Sequence, residues 1–258
     1  MKTVPVLLLA FMAVLGSLVL SGCPPFTDLS EEQLSNLYAK AVEDAAVAEP
    51  CEISRHLTAI TADSKGLVWE GVPGASRVRV VTWTSWTGYD SLVGKSICLS
   101  DIAKASYLTT RDTWVTVVPE IHNFVDRHYI PQNEAVLRME QLLGIPPNNG
   151  KTRFVEFYVD PGDLFRPAPD SEITDHEAEL DFPISCYTTI SEEYIAWFNA
   201  LKDSSYGANG YPWTRLGYTY DWGNCKHVGL SEFVIRTGAM VDVHSVTLNE
   251  AYLFPHEE

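Results

Sequence analysis

Hydrophobic and polar positions recur along this chain with two different periods, and the switches between them mark out its elements. After Ser30, the residues Leu34, Leu37, Tyr38, Ala41, Val42 and Ala45 follow one another at three- and four-residue steps, the stripe of an amphipathic helix. Ser30-Glu31-Glu32-Gln33 in front of them is a capping-box start. From about residue 52 the pattern turns to strands. Residues 66–70, 77–86 and 113–118 are rich in β-branched and aromatic side chains, with Gly71, Gly74, Gly88 and Gly94 as turns between them. Helical spacing returns at 119–128 and 133–143, and Gly144 with Pro146-Pro147 stops the second helix. Phe154, Val155, Phe157, Tyr158 and Val159 predict a strand at 153–160 that is buried on both faces. An acidic, proline-containing loop spans 161–183. Ser191 then caps a helix through Leu201, with Ile195, Phe198 and Leu201 toward the core. Residues 206–229 read as irregular, aromatic and glycine-rich. Two closing strands, 231–236 and 239–247, meet at Thr237-Gly238 and read as an antiparallel hairpin. The βαβ rhythm of a doubly wound sheet is missing. The expectation is one α+β domain with a mainly antiparallel sheet and several flanking helices.

The first residues follow different rules. Lys2 supplies a positive start, residues 4–20 are apolar without a charge, and Ser21 and Gly22 precede Cys23. That is the layout of an export signal ending at a processing site. Pro5 and Gly16 interrupt the run, and its length is marginal for crossing a bilayer. Leu20-Ser21-Gly22-Cys23 resembles the lipobox of bacterial lipoproteins. The resemblance implies cleavage before Cys23, diacylglycerol on its sulfur and often a further acyl chain (palmitate, for example) on the new amino group. The chain then divides into a signal peptide at 1–22, a lipidated tether at 23–29 and a domain at 30–258. Pro24-Pro25 keeps the tether extended, so it reaches only about 20 Å and holds the domain close to the lipid. The expected location is a bacterial cell envelope, with the domain outside the cytoplasm and the membrane contacted through the lipid on Cys23.

Composition narrows the partners. The net charge is −16, and losing residues 1–22 would remove Lys2 and no acid, so the body would be more acidic still. No cluster of Lys and Arg exists to hold phosphates, which excludes nucleic acid. An anionic bilayer would repel such a body, so the attachment has to be covalent; two or three acyl chains hold durably where one does not. Hydrophobic residues make up 46% and charged residues 20% of the chain, enough to bury a core. Beyond Cys23 stand Cys51, Cys98, Cys186 and Cys225. An even number in an exported chain permits two disulfides in any of three pairings, and without a C-x-x-C they do not predict zinc.

Three segments carry candidate chemistry. Trp213-Thr214-Arg215-Leu216-Gly217-Tyr218-Thr219-Tyr220-Asp221-Trp222-Gly223 offers flat rings for a sugar or a cation, with Trp213, Arg215, Tyr218, Tyr220 and Trp222 as binding candidates. The competing reading is a packing loop clamped by an Arg215–Asp221 pair. Asp221 with Glu232, and Glu156 in reserve, are the best carboxylates for the acid and base of glycoside cleavage. Asp170, Glu172 and Asp175 in the acidic loop could give oxygen ligands to a hard cation such as Ca²⁺, although the spacing is not that of an EF-hand. A solvated acidic loop is the favoured reading of these residues, and no metal and no cofactor is expected. Glu120 and His122, two apart on a helix, point to different faces. No G-x-S-x-G, H-E-x-x-H, P-loop or dinucleotide fingerprint occurs.

Gln141-Leu142-Leu143-Gly144-Ile145-Pro146-Pro147, Asp163-Leu164-Phe165-Arg166-Pro167, Tyr211-Pro212-Trp213-Thr214-Arg215-Leu216-Gly217-Tyr218 and Ser231-Glu232-Phe233-Val234 together give the body a likeness. It resembles a group of bacterial proteins of unassigned function over most of residues 52–254, a likeness that implies no activity. The expectation is a non-enzymatic envelope lipoprotein that binds an envelope protein or glycan. The second reading is an envelope hydrolase acting on a glycan-like polymer through a carboxylate pair.

Overall fold

The structure is a computed structural model, and it describes residues 29–105, 112–183 and 190–255. Cys23, the segment before it and Cys186 lie outside the described residues. Helix α1 (Glu31–Ala45) begins where the capping box sets it: the Ser30 hydroxyl accepts from Gln33 N–H, and the Gln33 side chain accepts from Ser30 N–H. Leu34, Ala41, Val42 and Ala45 form its buried stripe.

Strand β1 (Val78–Thr84) leads to the short β2 (Ser96–Cys98) and helix α2 (Leu99–Ala105). Strand β3 (Thr113–Val117) then enters α3 (Glu120–His128) and α4 (Ala135–Leu142). Next come β4 (Arg153–Val159), β5 (Leu164–Phe165) and α5 (Glu192–Ser205). The chain closes with β6 (Tyr218–Asp221), β7 (His227–Ser231), β8 (Phe233–Ile235), β9 (Met240–Leu248) and α6 (Asn249–Leu253). Seven strands form one sheet in the order β2-β9-β4-β1-β3-β8-β5, and β6 and β7 form a ribbon of their own. Every strand pair is antiparallel. The fold is the expected α+β domain with a mainly antiparallel sheet.

The predicted closing hairpin does not form. β8 pairs with β3 and β5, and β9 with β2 and β4, so three strands stand between them. A longer shared ladder decides this, because β9 aligns with β4 over six residue pairs. The link from Ile235 to Met240 can span at most roughly 17 Å, whereas four spacings of a flat sheet cover about 19 Å. The sheet is therefore curled, and its concave side holds one core in which Phe233 and Ile235 of β8 meet Val241 and Val243 of β9 with Val80, Val155 and Phe157. Residues 66–70, expected as a strand, contribute only a bridge between Trp69 and Val78. The irregular region at 206–229 contains the β6–β7 ribbon.

A second core lies on the other face, where Val81, Trp83 and Phe154 meet Ile121, Phe124 and Val125 of α3, Met139 and Leu142 of α4, and Tyr252 of α6. Alternation along β1 splits these faces: Val78 and Val80 point one way, Val81 and Trp83 the other. Among the described residues no helix is long and apolar enough to cross a membrane.

Candidate functional site

The feature most unlike a closed sheet lies between β1 and β3. β1 pairs with β4 along its whole length, from Val78↔Val159 to Thr84↔Arg153. With β3 it pairs only at Val80↔Val117 and Val81↔Thr116. Beyond those two positions the strands part, while residues 113–115 stay paired with β8 on the other edge of β3. The gap is a cavity of about 300 Å³, at the lower end of the range for small-ligand sites. Side chains from both sheet faces wall it: Thr82, Thr84 and Val115 from one, Trp83, Trp114 and Thr116 from the other.

Parting two strands leaves backbone groups without ladder partners, and here one is capped by a side chain. The Arg79 carbonyl accepts from Val118 N–H on the β3 side, and carbonyl direction alternates along a strand, so the Trp83 carbonyl faces the gap. Lys151 Nζ donates to it at 2.9 Å. Lys151 also lines the cavity, as do Asp112 and Glu232. Asp112 is engaged, since its carboxylate accepts from Trp197 Nε1 at 2.5 Å and from the Thr237 hydroxyl at 3.1 Å.

Glu232 differs from every other acid in this region. It directly precedes Phe233, which pairs with Val115, so β8 sets its carboxyl at the cavity wall. Its backbone N–H donates to the Gly217 carbonyl, but among the described residues its carboxyl has no hydrogen-bond partner. Burial alone pushes that carboxyl up to about 8, the direction expected when a charge loses water and gains no partner. Glu120, at the start of α3, is the contrast. Its carboxylate accepts from the Thr58 hydroxyl, from the Thr116 hydroxyl at 2.8 Å and from Ser231 N–H at 3.1 Å. Burial raises its pKa while these bonds oppose the rise. One of these acids is saturated and the other open.

The remaining candidates are scattered. Asp221 is 1% exposed and accepts from Arg138 Nη1 at 2.9 Å and Nη2 at 2.5 Å. The expected Arg215–Asp221 clamp is absent: Arg215 donates to the carbonyls of Ala45 and Ala46 and lies over the Tyr206 ring. A guanidinium on α4 reaches Asp221 instead, because β6 packs beside that helix. Trp213, Tyr218, Tyr220 and Trp222 are all buried. Tyr218, Tyr220 and Trp222 spend their polar tips on Glu52, Asp44 and Ile145. This segment is the packing loop of the competing reading, not an open platform. Glu156 accepts from Arg79, Ser245 and Tyr252, a satisfied network that does not line the cleft. Of the three proposed acids only Glu232 lines the cavity; Asp221 and Glu156 do not.

The acidic loop is organised around a residue that the sequence pattern did not single out. Arg166 is fully buried, and it donates to the carbonyls of Glu172 and Asp175 while approaching the Asp175 carboxylate at 3.7 Å. Asp170 accepts from Glu172 N–H, and burial, with the Asp170 carboxylate close by, pushes Glu179 up to about 7. Among the described residues, no group of three or more His, Cys, Asp or Glu is arranged to hold a metal ion. Cys51 and Cys98 are free thiols and Cys225 is disulfide-bonded, so the two-bridge arrangement of the four body cysteines does not form. Glu120 and His122 do serve different surroundings, His122 lying against the Tyr252 ring.

No family model, curated protein or solved structure matches this chain.

Proposed function

We propose that this chain is a lipid-anchored protein of a bacterial cell envelope whose domain binds a partner there without carrying out chemistry, and that the cleft between β1 and β3 is its binding site. The lipobox resemblance at Leu20-Ser21-Gly22-Cys23 supports the location. The observation that carries the binding role is the open carboxyl of Glu232 on a cavity of about 300 Å³ walled by tryptophans and threonines. Glu232 is half-buried, so its carboxyl is partly stripped of water, and a ligand that hydrogen-bonds it makes good that loss on binding. A role without chemistry is supported by the engagement of the other two acids, since Asp221 and Glu156 are each held by an arginine and neither lines the cavity.

One observation favours the hydrolase as a second reading: a carboxyl raised to about 8 is protonated at neutral pH, as a general acid must be. New reducing ends released from an envelope glycan by the wild type, and lost in Glu232→Gln, would decide for it. The location is tested by growing the wild type and Cys23→Ala on a clickable fatty acid. The wild type is expected in the membrane fraction with the label, and Cys23→Ala without it. An unlabelled wild type would refute the anchor.

A further inference from the structure

The chemistry of the cleft narrows its ligand. An apolar ligand would cover the Glu232 carboxyl, which lines the cavity, and take it from water without offering a hydrogen bond, a costly outcome. A cation would enter beside that ammonium. An anion would meet the Asp112 carboxylate at the same wall and the repulsion of a chain with net charge −16. What remains is a neutral ligand that both donates and accepts hydrogen bonds and has a face to lay against a ring. Trp114 is half-buried, touches Trp213 at right angles and lines the cavity. Thr82 and Thr113 line the cavity from the opposite sheet face and supply hydroxyls across it from Trp114.

We propose that the cleft between β1 and β3 binds a neutral polyhydroxylated ring, a sugar, against Trp114, with the Glu232 carboxyl as a hydrogen-bond donor. The inference rests on the cleft being the binding site. A protonated carboxyl offers one donor and an acceptor, which matches a hydroxyl that does both. Once ionised it loses the donor and puts a bare charge into the cavity. Binding therefore weakens as pH rises through about 8.

The groups that face Glu232 do not displace this sign. Glu120 lies next to it through Ser231, Lys151 and Asp112 share the cavity, and Tyr206 with Arg215 over its ring stands behind. Burial is the whole cause of the Glu232 shift, so no charged neighbour sets it. Tyr206 is pushed up to about 12 and keeps its proton across the window.

The test is saturation-transfer NMR on the full chain in detergent micelles, with glucose, galactose and N-acetylglucosamine as probes, choline as the cationic control and acetate as the anionic one. Each is used at about 50 mM, enough to fill a millimolar site. At about pH 6.5, transfer to at least one sugar is expected. The affinity should fall roughly tenfold or more in Trp114→Leu, which keeps apolar bulk but removes the ring. It should fall similarly in the wild type at about pH 9.5, while Glu232→Gln, which keeps a donor and cannot ionise, binds equally at both values. Transfer to choline or acetate in place of the sugars overturns the sugar assignment and leaves the cleft as a binding site. No transfer to any probe, or sugar binding indifferent to both substitutions and to pH, overturns the assignment and counts against the cleft itself. The fatty-acid label on Cys23 reads the anchor separately from all of these.

Discussion

Asp221→Ala should destabilise the domain by about 3 kcal/mol and Arg138→Ala by up to about 5 kcal/mol, both within the range for breaking a buried ion pair from one side. The asymmetry comes from burial. Asp221 is 1% exposed, Arg138 is 17% exposed, and the Arg138 guanidinium also rests 4.7 Å from the centre of the Phe124 ring. Removing Asp221 leaves a cation that still reaches some water. Removing Arg138 leaves a carboxylate that reaches almost none, held only by Gly223 N–H at 3.0 Å. Because the two groups share both of their hydrogen bonds, the double variant should cost less than the sum of the singles, by about 2 kcal/mol. Urea unfolding of the wild type, both singles and the double measures this directly, with unchanged m-values as the sign that the unfolding transition itself is the same. A cost for Asp221→Ala below about 1 kcal/mol, or strictly additive singles, would refute the reading of Asp221 as a structural brace between α4 and β6. Loss of a ligand or an activity at unchanged stability would do the same and return Asp221 to the functional residues.

Other substitutions probe the remaining supports. Glu232→Gln should raise Tm relative to the wild type, and the difference should grow with pH. Its folded pKa of about 8 stands above the ordinary 4.5, so the protonated form's stability is complete below 4.5 and is lost as pH rises toward 8; thermal melts at several pH values show whether the two proteins diverge across that window. Arg166→Met should open the acidic loop to protease at 161–183, since it removes the donors that hold the carbonyls of Glu172 and Asp175; an intact loop under limited proteolysis would contradict this. Gly229→Ala should cost about 1–3 kcal/mol, because the added carbon would lie 2.4 Å from the Thr219 carbonyl and 2.7 Å from that of Leu142, backbone that cannot swing aside. Phe154→Ala, at a side chain with no exposure between Trp83 and Tyr252, should cost about 3–5 kcal/mol in denaturant titration.

The elements follow from local signals, whereas long-range pairing lies beyond them. Ser30 and Gln33 announce α1 because capping is an interaction within one turn, and Phe154 to Val159 announce β4 because burial on both faces removes its polar positions. The closing strands are the counterexample. Thr237-Gly238 has the composition of a hairpin turn, yet β9 finds a longer partner in β4, a choice that depends on two strands some eighty residues apart in the chain. The site divides the same way. Glu232 was identifiable as a candidate, but its expected partner was Asp221, eleven positions away, whereas the structure gives Asp221 to Arg138. The cleft itself comes from β3 leaving β1 after two pairs, which no spacing in either strand encodes. The structural role of Arg166 has no sequence signature, because a buried arginine is rare and its partners are backbone carbonyls.

The protonation of Glu232 in the ligand-free protein bears most directly on the account, because binding is argued from an open, uncharged carboxyl at the cleft. Carbon-13 NMR of the glutamate side-chain carboxyls, with Glu232→Gln to assign the resonance, measures it. The account predicts a titration near pH 8. A titration at the ordinary 4.5 would mean that the carboxyl is fully hydrated or partnered, and would contradict Glu232 as the open hydrogen-bond donor of the cleft.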